Sequence, residues 1–145
     1  MADISITASA VVPSSAAVIK YTTAGATLTA GQLIYLDVAD LDANGIGKAK
    51  LSDANGAAAL RVVDGMCIGG ASAGQPIAYV TYDTALVIAA SGLTANTILI
   101  LSDTPGGVAP STDLSSGEYL SVIAVVKSAT TIFFRAPGLV SSAAS

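Results

Sequence analysis

The chain has 145 residues, of which 52% are hydrophobic and only 11% are charged, and its formal net charge is −4. An average soluble domain has about 25% charged residues, so this composition favours a protein whose faces meet other subunits. The six basic residues are scattered and histidine is absent, which argues against a nucleic-acid-binding surface and against histidine-based catalysis. The apolar runs are far shorter than the roughly 18 residues of a membrane-spanning helix, and no secretory-signal pattern opens the chain.

Residues 1–20 are predicted to form an N-terminal arm. Ile4 and Ile6 alternate with polar residues, which indicates a strand, and Pro13 confines it to an edge or an extended segment. The arm is either a mobile terminus or a segment that adds a strand to a neighbour. Large aliphatic side chains stabilise only when they are buried, so the candidate contacts with another subunit are Ile4, Ile6, Val11, Val12 and Pro13. On this hypothesis, deleting residues 1–14 leaves the domain folded but weakens partner binding.

Residues 21–138 are predicted to form one mainly β domain, and residues 139–145 a frayed tail. Strands are expected near residues 18–22, 32–38, 47–51, 64–69, 76–81, 85–90, 97–102, 118–126 and 131–136, separated by Gly, Asn-Gly and Pro-Gly turns. Short strands at this spacing are typical of a small β-barrel or sandwich. Residues 52–61 are rich in alanine, the best helix former, and predict one short helix.

A turn followed by a strand is repeated along the chain. Residues 28–36 are matched by residues 93–101 and in part by residues 73–80. Gly31, Gly74 and Asn96 occupy the same position in the repeat, and glycine and asparagine tolerate a positive φ. The repeat therefore predicts one turn geometry at all three. Pro105 and Gly106 are predicted to form the corners of a further turn.

The strongest candidate for a metal site is a loop containing Asp40, Asp42 and Asn44. Oxygen-bearing residues at alternate positions followed by a glycine match the first half of a calcium-binding loop. The match then fails, because Leu51 stands where a bidentate glutamate is required and no helices flank the loop. A plain hairpin loop is the favoured interpretation.

No motif for catalysis or cofactor binding is present, so we expect neither an enzyme nor a cofactor. Asp64, Asp83 and Glu118 are isolated acids, and the glycines around residues 65–70 lack the lysine of a phosphate-binding loop. Cys67 stands alone in an apolar run and is expected to be a buried core residue. The five tyrosines are expected to pack in the core or at interfaces, with a ligand surface as the alternative.

Several short motifs follow one another in an order that is similar to that of a known protein family. These are residues 2–7 (ADISIT), 27–35 (TLTAGQLIY), 51–55 (LSDAN), 73–77 (AGQPI) and 101–110 (LSDTPGGVAP), followed by Asp113-Leu114 and Gly117-Glu118-Tyr119. Over nearly its whole length the chain resembles the small head-decoration, or capsid cement, proteins of tailed bacteriophages. The loop at residues 40–44 and the Ser-Ala tail have no counterpart in that pattern.

The resemblance implies a compact β fold without catalytic residues, located on the outer surface of the virion capsid. It implies a homotrimer at three-fold or quasi-three-fold positions, with the major capsid protein as partner and the N-terminal arm on the capsid lattice. It implies no nucleic-acid or membrane partner. The alternative from a different class is a β-barrel ligand- or carbohydrate-binding module of a virion fibre, which exposed aromatic residues on one sheet face would favour; a small hydrolase is a third alternative.

Overall fold

The computed structural model describes residues 3–90 and 93–143, with side chains through residue 136. Nine strands are present: β1 (Val18–Thr23), β2 (Leu33–Leu41), β3 (Gly47–Leu51), β4 (Gly65–Cys67), β5 (Pro76–Val87), β6 (Ile98–Leu101), β7 (Val108–Pro110), β8 (Tyr119–Val126) and β9 (Thr131–Ala143). Three short 3-10 helices lie at Ala8–Ala10, Ala58–Arg61 and Ser111–Asp113. No helix in the described ranges is long and apolar enough to cross a membrane.

The strands form one sheet in the order β3-β2-β4-β5-β9-β8-β6-β7, and β1 pairs with β5 beside this path. All of these strand pairs are antiparallel. The sheet curls into a half-barrel, which confirms the mainly β fold expected from the sequence. Two backbone hydrogen bonds link the first residue of β2 and the residue after β3 to the turn between β6 and β7: Leu33 N–H donates to Gly106 O at 2.9 Å, and Gly106 N–H donates to Ser52 O at 2.7 Å.

Strand β4, the start of β2 and the adjoining part of β5 are buried on both faces. Successive side chains on a strand point to opposite faces, and here each face has its own core. Leu33 and Met66 belong to the main core inside the half-barrel, whereas Ile34 and Cys67 belong to a smaller core on the other face. The smaller core is covered by the segment after β1, through Ala24 and Leu28.

The repeated turn has the geometry that the sequence predicts. The φ angles of Gly31, Gly74 and Asn96 are 91°, 89° and 70°. In the two glycine copies the next residue is a glutamine whose Oε1 accepts a backbone N–H three residues earlier, at 2.8 Å in one copy and 2.9 Å in the other. Pro105 and Gly106 also form the predicted turn, with φ of 76° at Gly106 and a 2.8 Å bond from Gly107 N–H to Thr104 O.

A fourth copy of this turn was missed by the sequence analysis. It lies at residues 115–118, where Gly117 has a φ of 88° and Glu118 Oε2 accepts the N–H of Ser115 at 2.8 Å. The signal was available, because Ser115-Ser116-Gly117-Glu118 has the same residue pattern as the glycine copies.

The predicted strands need two corrections. The strands expected at residues 76–81 and 85–90 are one strand, β5, with an irregularity between Asp83 and Leu86. It continues through polar residues because Asp83 satisfies local backbone groups, accepting the N–H of Ala85 at 3.0 Å. Strand β7 was not predicted, since it has only three residues, follows a Pro-Gly-Gly turn directly and ends in Pro110.

The helix and tail predictions are also corrected. Only Ala58–Arg61 of residues 52–61 is helical, as a 3-10 turn, because the backbone before it bonds to neighbouring segments: Ala54 N–H donates to Ser102 O at 3.0 Å. Residues 139–143, predicted to fray, belong to β9, where Leu139 pairs with Val122 and Ala143 with Tyr119. The remainder of that tail lies outside the described residues.

Cys67 is fully buried, and burial raises the pKa of its thiol to about 12. The thiolate is the reactive form of cysteine, so we expect the native protein to resist alkylation at neutral pH. Iodoacetamide labelling followed by intact-mass measurement should show modification only after denaturation. Rapid labelling of the folded protein would contradict the buried placement.

Candidate functional site

The N-terminal arm is bonded to the chain's own sheet at two places. Ile4 N–H donates to Val108 O of the edge strand β7 at 2.7 Å. Val12 and Val87 of β5 exchange two backbone hydrogen bonds, of 2.9 and 3.0 Å. The arm therefore runs from β7 to β5, and its backbone groups at these two places are paired within the chain.

The aliphatic side chains of the arm complete the main core. Val11 is 7% exposed and is a member of that core, and Ile4 and Ile6 are half-buried against it. This corrects the prediction of an arm independent of the domain: burial of these side chains in the chain's own core removes their need for an external partner. Residues 18–20 belong to β1. Of the predicted contacts, Val12 is exposed and Pro13 is half-buried.

A buried carboxylate holds the end of the arm. Asp83 is fully buried. Its Oδ2 accepts the N–H of Ser14 at 2.7 Å, and its Oδ1 accepts the Ser14 hydroxyl and the N–H of Ala85. Burial acts to raise the pKa of Asp83, but these hydrogen bonds and the charge of Lys127 outweigh it and hold the pKa below its ordinary value. Sequence reasoning missed this contact, since nothing in the pattern pairs residues that are 69 positions apart.

A shallow groove of about 300 Å³ lies between the arm and two turns. It brings together five residues that the sequence analysis singled out: Ile4, Ile6, Gly31, Pro105 and Gly106. None of the residues lining it is charged. Its lining therefore offers no acid or base for catalysis.

The loop at Asp40, Asp42 and Asn44 is an internally bonded hairpin. Asp40 accepts ion pairs from Lys48 and Lys50, each at 3.1 Å. Oδ1 of Asp42 accepts the N–H of Ile46 at 3.0 Å and that of Asn44 at 2.9 Å. The pKa of Asp42 is held below its ordinary value chiefly by the backbone hydrogen bond from Ile46. The carboxylates are thus engaged by lysines and backbone groups, and the described residues contain no cluster of three or more His, Cys, Asp or Glu suited to a metal.

The five tyrosines do not share one surface. Tyr35 and Tyr79 are buried, Tyr119 lies 3.6 Å beneath the Arg61 guanidinium, Tyr82 packs edge-on against Phe133, and Tyr21 is exposed. Only the Tyr82–Phe133 pair forms an aromatic contact at the surface among the residues described.

Exposed apolar side chains form a row across the convex side of the sheet, which we call the outer row. Ile98 of β6 is opposite Val125 of β8, which is opposite Phe133 of β9. These side chains are exposed while their strand neighbours are buried, so they share the outer face. The ring of Tyr82 lies 5.6 Å from that of Phe133, and Tyr82 pairs with exposed Val18 of β1. The row therefore crosses five strands.

A second exposed apolar group surrounds the turn between β2 and β3. We call residues 38–46 the hairpin tip. Val38 is 80% exposed, and Leu41 and Ile46 are also exposed. Apolar groups grouped on ordered strands are typical of protein contact surfaces.

No protein-family model matches the chain, and no curated protein matches it.

Proposed function

We propose that this protein is a non-enzymatic structural protein of a bacteriophage virion. It decorates and stabilises the outer surface of the capsid, as a homotrimer at three-fold or quasi-three-fold positions, and its partner is the major capsid protein. The motif order that resembles capsid cement proteins supplies the class, and the surface chemistry supports it.

The outer row is the observation that carries this proposal. A domain of net charge −4 with only 11% charged residues exposes four apolar side chains on ordered strands, with the half-buried Tyr82 between Phe133 and Val18. Burial of apolar surface drives protein association, and interface cores are depleted in charge and enriched in aromatic residues. A rigid apolar face of this kind suits permanent contact with other subunits.

The arm offers a second surface, suited to the shell. It is held on the domain by Ile4, Val12 and Ser14 through the hydrogen bonds described above, so it is already ordered before any partner arrives. Ordering in advance reduces the entropy lost on binding. The Val12 side chain is 53% exposed although its backbone is paired, so it can contact a partner without disturbing the fold.

Co-sedimentation with expanded heads that lack this protein tests the proposal. We expect the full chain to pellet with the heads and to raise their resistance to heat. Val12→Asp should weaken binding by at least about tenfold, a change of about 1.4 kcal/mol. Val62→Asp is the matched control, because Val62 is also an exposed valine but lies away from the arm. Failure of the full chain to bind heads, or equal binding by both variants, would contradict the proposal.

A further inference from the structure

The outer row has exposed cations beside it on a protein whose net charge is −4. The five strands that carry it contain one acidic residue, Asp83, which is buried. Arg135 follows Phe133 by two residues on β9, and Lys127 follows Val125 by two residues at the end of β8. Because β8 and β9 are antiparallel, these two exposed cations lie on opposite sides of the Val125–Phe133 pair, and Arg135 is directly opposite Tyr82. Neither has a salt bridge among the described residues, although the Lys127 ammonium donates to Thr84 O at 2.8 Å and lies close enough to Asp83 for its charge to act there.

The hairpin tip complements the outer row in charge, because it combines exposed apolar side chains with acidic residues. Its three exposed aliphatic residues are accompanied by Asp40 and Asp42. Lys48 and Lys50 are paired with Asp37 and Asp40, whereas Asp42 is bonded to backbone N–H groups and to the Thr23 hydroxyl at 3.2 Å. The hairpin therefore has three carboxylates against two lysines, and it presents apolar side chains within an acidic surround.

We propose that the hairpin tip of one copy binds the outer row of a second copy of this chain. Val38, the most exposed of the large aliphatic side chains given above, would bury against Val125 and Phe133. The acids of the tip would then approach Arg135 and Lys127, and complementary charges at an interface fix its register and exclude wrong partners.

Pairing of the outer row with itself is disfavoured by the same charges. A two-fold contact places the same patch of both copies face to face, which would bring the flanking cations of the two copies together. The tip-to-row contact instead joins two different surfaces. A contact of this type closes into a ring when the rotation between copies permits. The inference rests on the proposed function in this respect, because the tip-to-row contact would be the interface of the proposed trimer.

Single substitutions test each surface by sedimentation velocity at micromolar concentration. Val38→Arg removes the tip surface, and Val125→Arg removes the row surface. Each should convert the assembly to monomer while circular dichroism and the thermal midpoint stay near those of the unchanged chain. Leu41→Arg and Ile98→Arg repeat the two tests at other exposed positions, and Val62→Arg is the matched control. A monomeric unchanged chain, or tip and row variants that still assemble, would overturn the proposal.

Mixing the two monomeric variants distinguishes this interface from a symmetric one. Val125→Arg still has an intact tip, and Val38→Arg still has an intact row. Their mixture should therefore form a heterodimer with one working contact, and go no further. A symmetric interface would yield no complex in this mixture, and that result would overturn the tip-to-row assignment.

This assay contains no capsid, so its outcome is separate from that of the proposed function. Assembly by the unchanged chain without binding to heads would leave the tip-to-row interface standing and contradict capsid decoration. If the unchanged chain binds heads and the tip and row variants assemble normally, capsid decoration stands and the tip-to-row interface is contradicted.

Discussion

Replacing Gly31 with alanine is expected to destabilise the protein more than replacing Gly74, although both residues occupy the same turn. Their φ angles are 91° and 89°, so an added Cβ costs each about 1–2 kcal/mol in backbone strain. A Cβ at residue 31 would also lie 2.7 Å from Ile6 Cγ2, whereas a Cβ at residue 74 meets nothing within 4 Å. Displacing the arm at Ile6 should add about 1–3 kcal/mol for Gly31→Ala.

Urea unfolding of the two variants measures this difference, and a double-mutant cycle assigns its cause. Ile6→Ala removes the methyl group that the new Cβ would strike. In that background the cost of Gly31→Ala should fall to that of Gly74→Ala, giving a coupling energy of about 1 kcal/mol or more. Equal costs for the two glycines in the unchanged background would show that Ile6 does not pack on this turn.

The turns could be predicted because their cause is local. A residue that must adopt a positive φ restricts the sequence at its own position, and so Gly31, Gly74, Asn96 and Gly106 are recognisable without the fold. The alternation of apolar residues likewise located most strands. The strands predicted at residues 76–81 and 85–90 are one strand in the fold, because Asp83, an isolated acid in the sequence, is buried and hydrogen-bonded within it.

The arm and the interaction surfaces depend on contacts that no local pattern records. The apolar content of residues 4–12 predicts that they bury against something, and the position of β5 and β7 decides that Val11 is buried and Ile4 and Ile6 half-buried in the chain's own core while Val12 stays exposed. The outer row similarly arises from the register of β6, β8 and β9. Val125 and Phe133 are indistinguishable in sequence from their buried neighbours until that register is known.

Loss of the Asp83 carboxylate is expected to cost about 3 kcal/mol of stability and to release the arm. Its three hydrogen-bond donors are the hydroxyl and N–H of Ser14 and the N–H of Ala85, and hydrogen bonds to a charged group contribute about 1.5–3 kcal/mol each before the cost of burying the charge. Asp83→Asn keeps the shape of the side chain but directs an amide group at one of these donors. Hydrogen exchange at Val12, whose N–H donates to Val87 O, should accelerate in the variant.

Ser14→Ala should reproduce part of this loss, about 1.5 kcal/mol, because it removes the hydroxyl donor and keeps the N–H. Ser15→Ala is the matched control, since Ser15 is the exposed neighbouring serine and its loss should change stability by less than about 0.5 kcal/mol. If the Asp83→Asn and Ser15→Ala variants unfold at the same urea concentration, the carboxylate does not secure the arm.

The stability contributed by Asp83 should depend on pH in a defined direction. An unfolded aspartate has a pKa of about 3.9, and the folded pKa of Asp83 is lower. The contribution is therefore complete above about pH 4 and is lost as the pH falls through the folded pKa, where the carboxyl gains a proton. The pKa values of Asp37, Asp40 and Asp42 are also lowered, so these residues add to acid destabilisation in any variant that retains them.

Comparing the unchanged chain with Asp83→Asn isolates the single group, because the other three aspartates are present in both and cancel in the difference. The gap in unfolding free energy between the two proteins should be constant from neutral pH to about pH 5 and should narrow below about pH 4. The protection of the Val12 N–H, measured as its exchange rate relative to the intrinsic rate at each pH, should fall over the same acid range in the unchanged chain and stay low throughout in the variant. A gap that remains constant into strong acid would mean that the arm is held by its aliphatic side chains alone, without the ionised carboxylate.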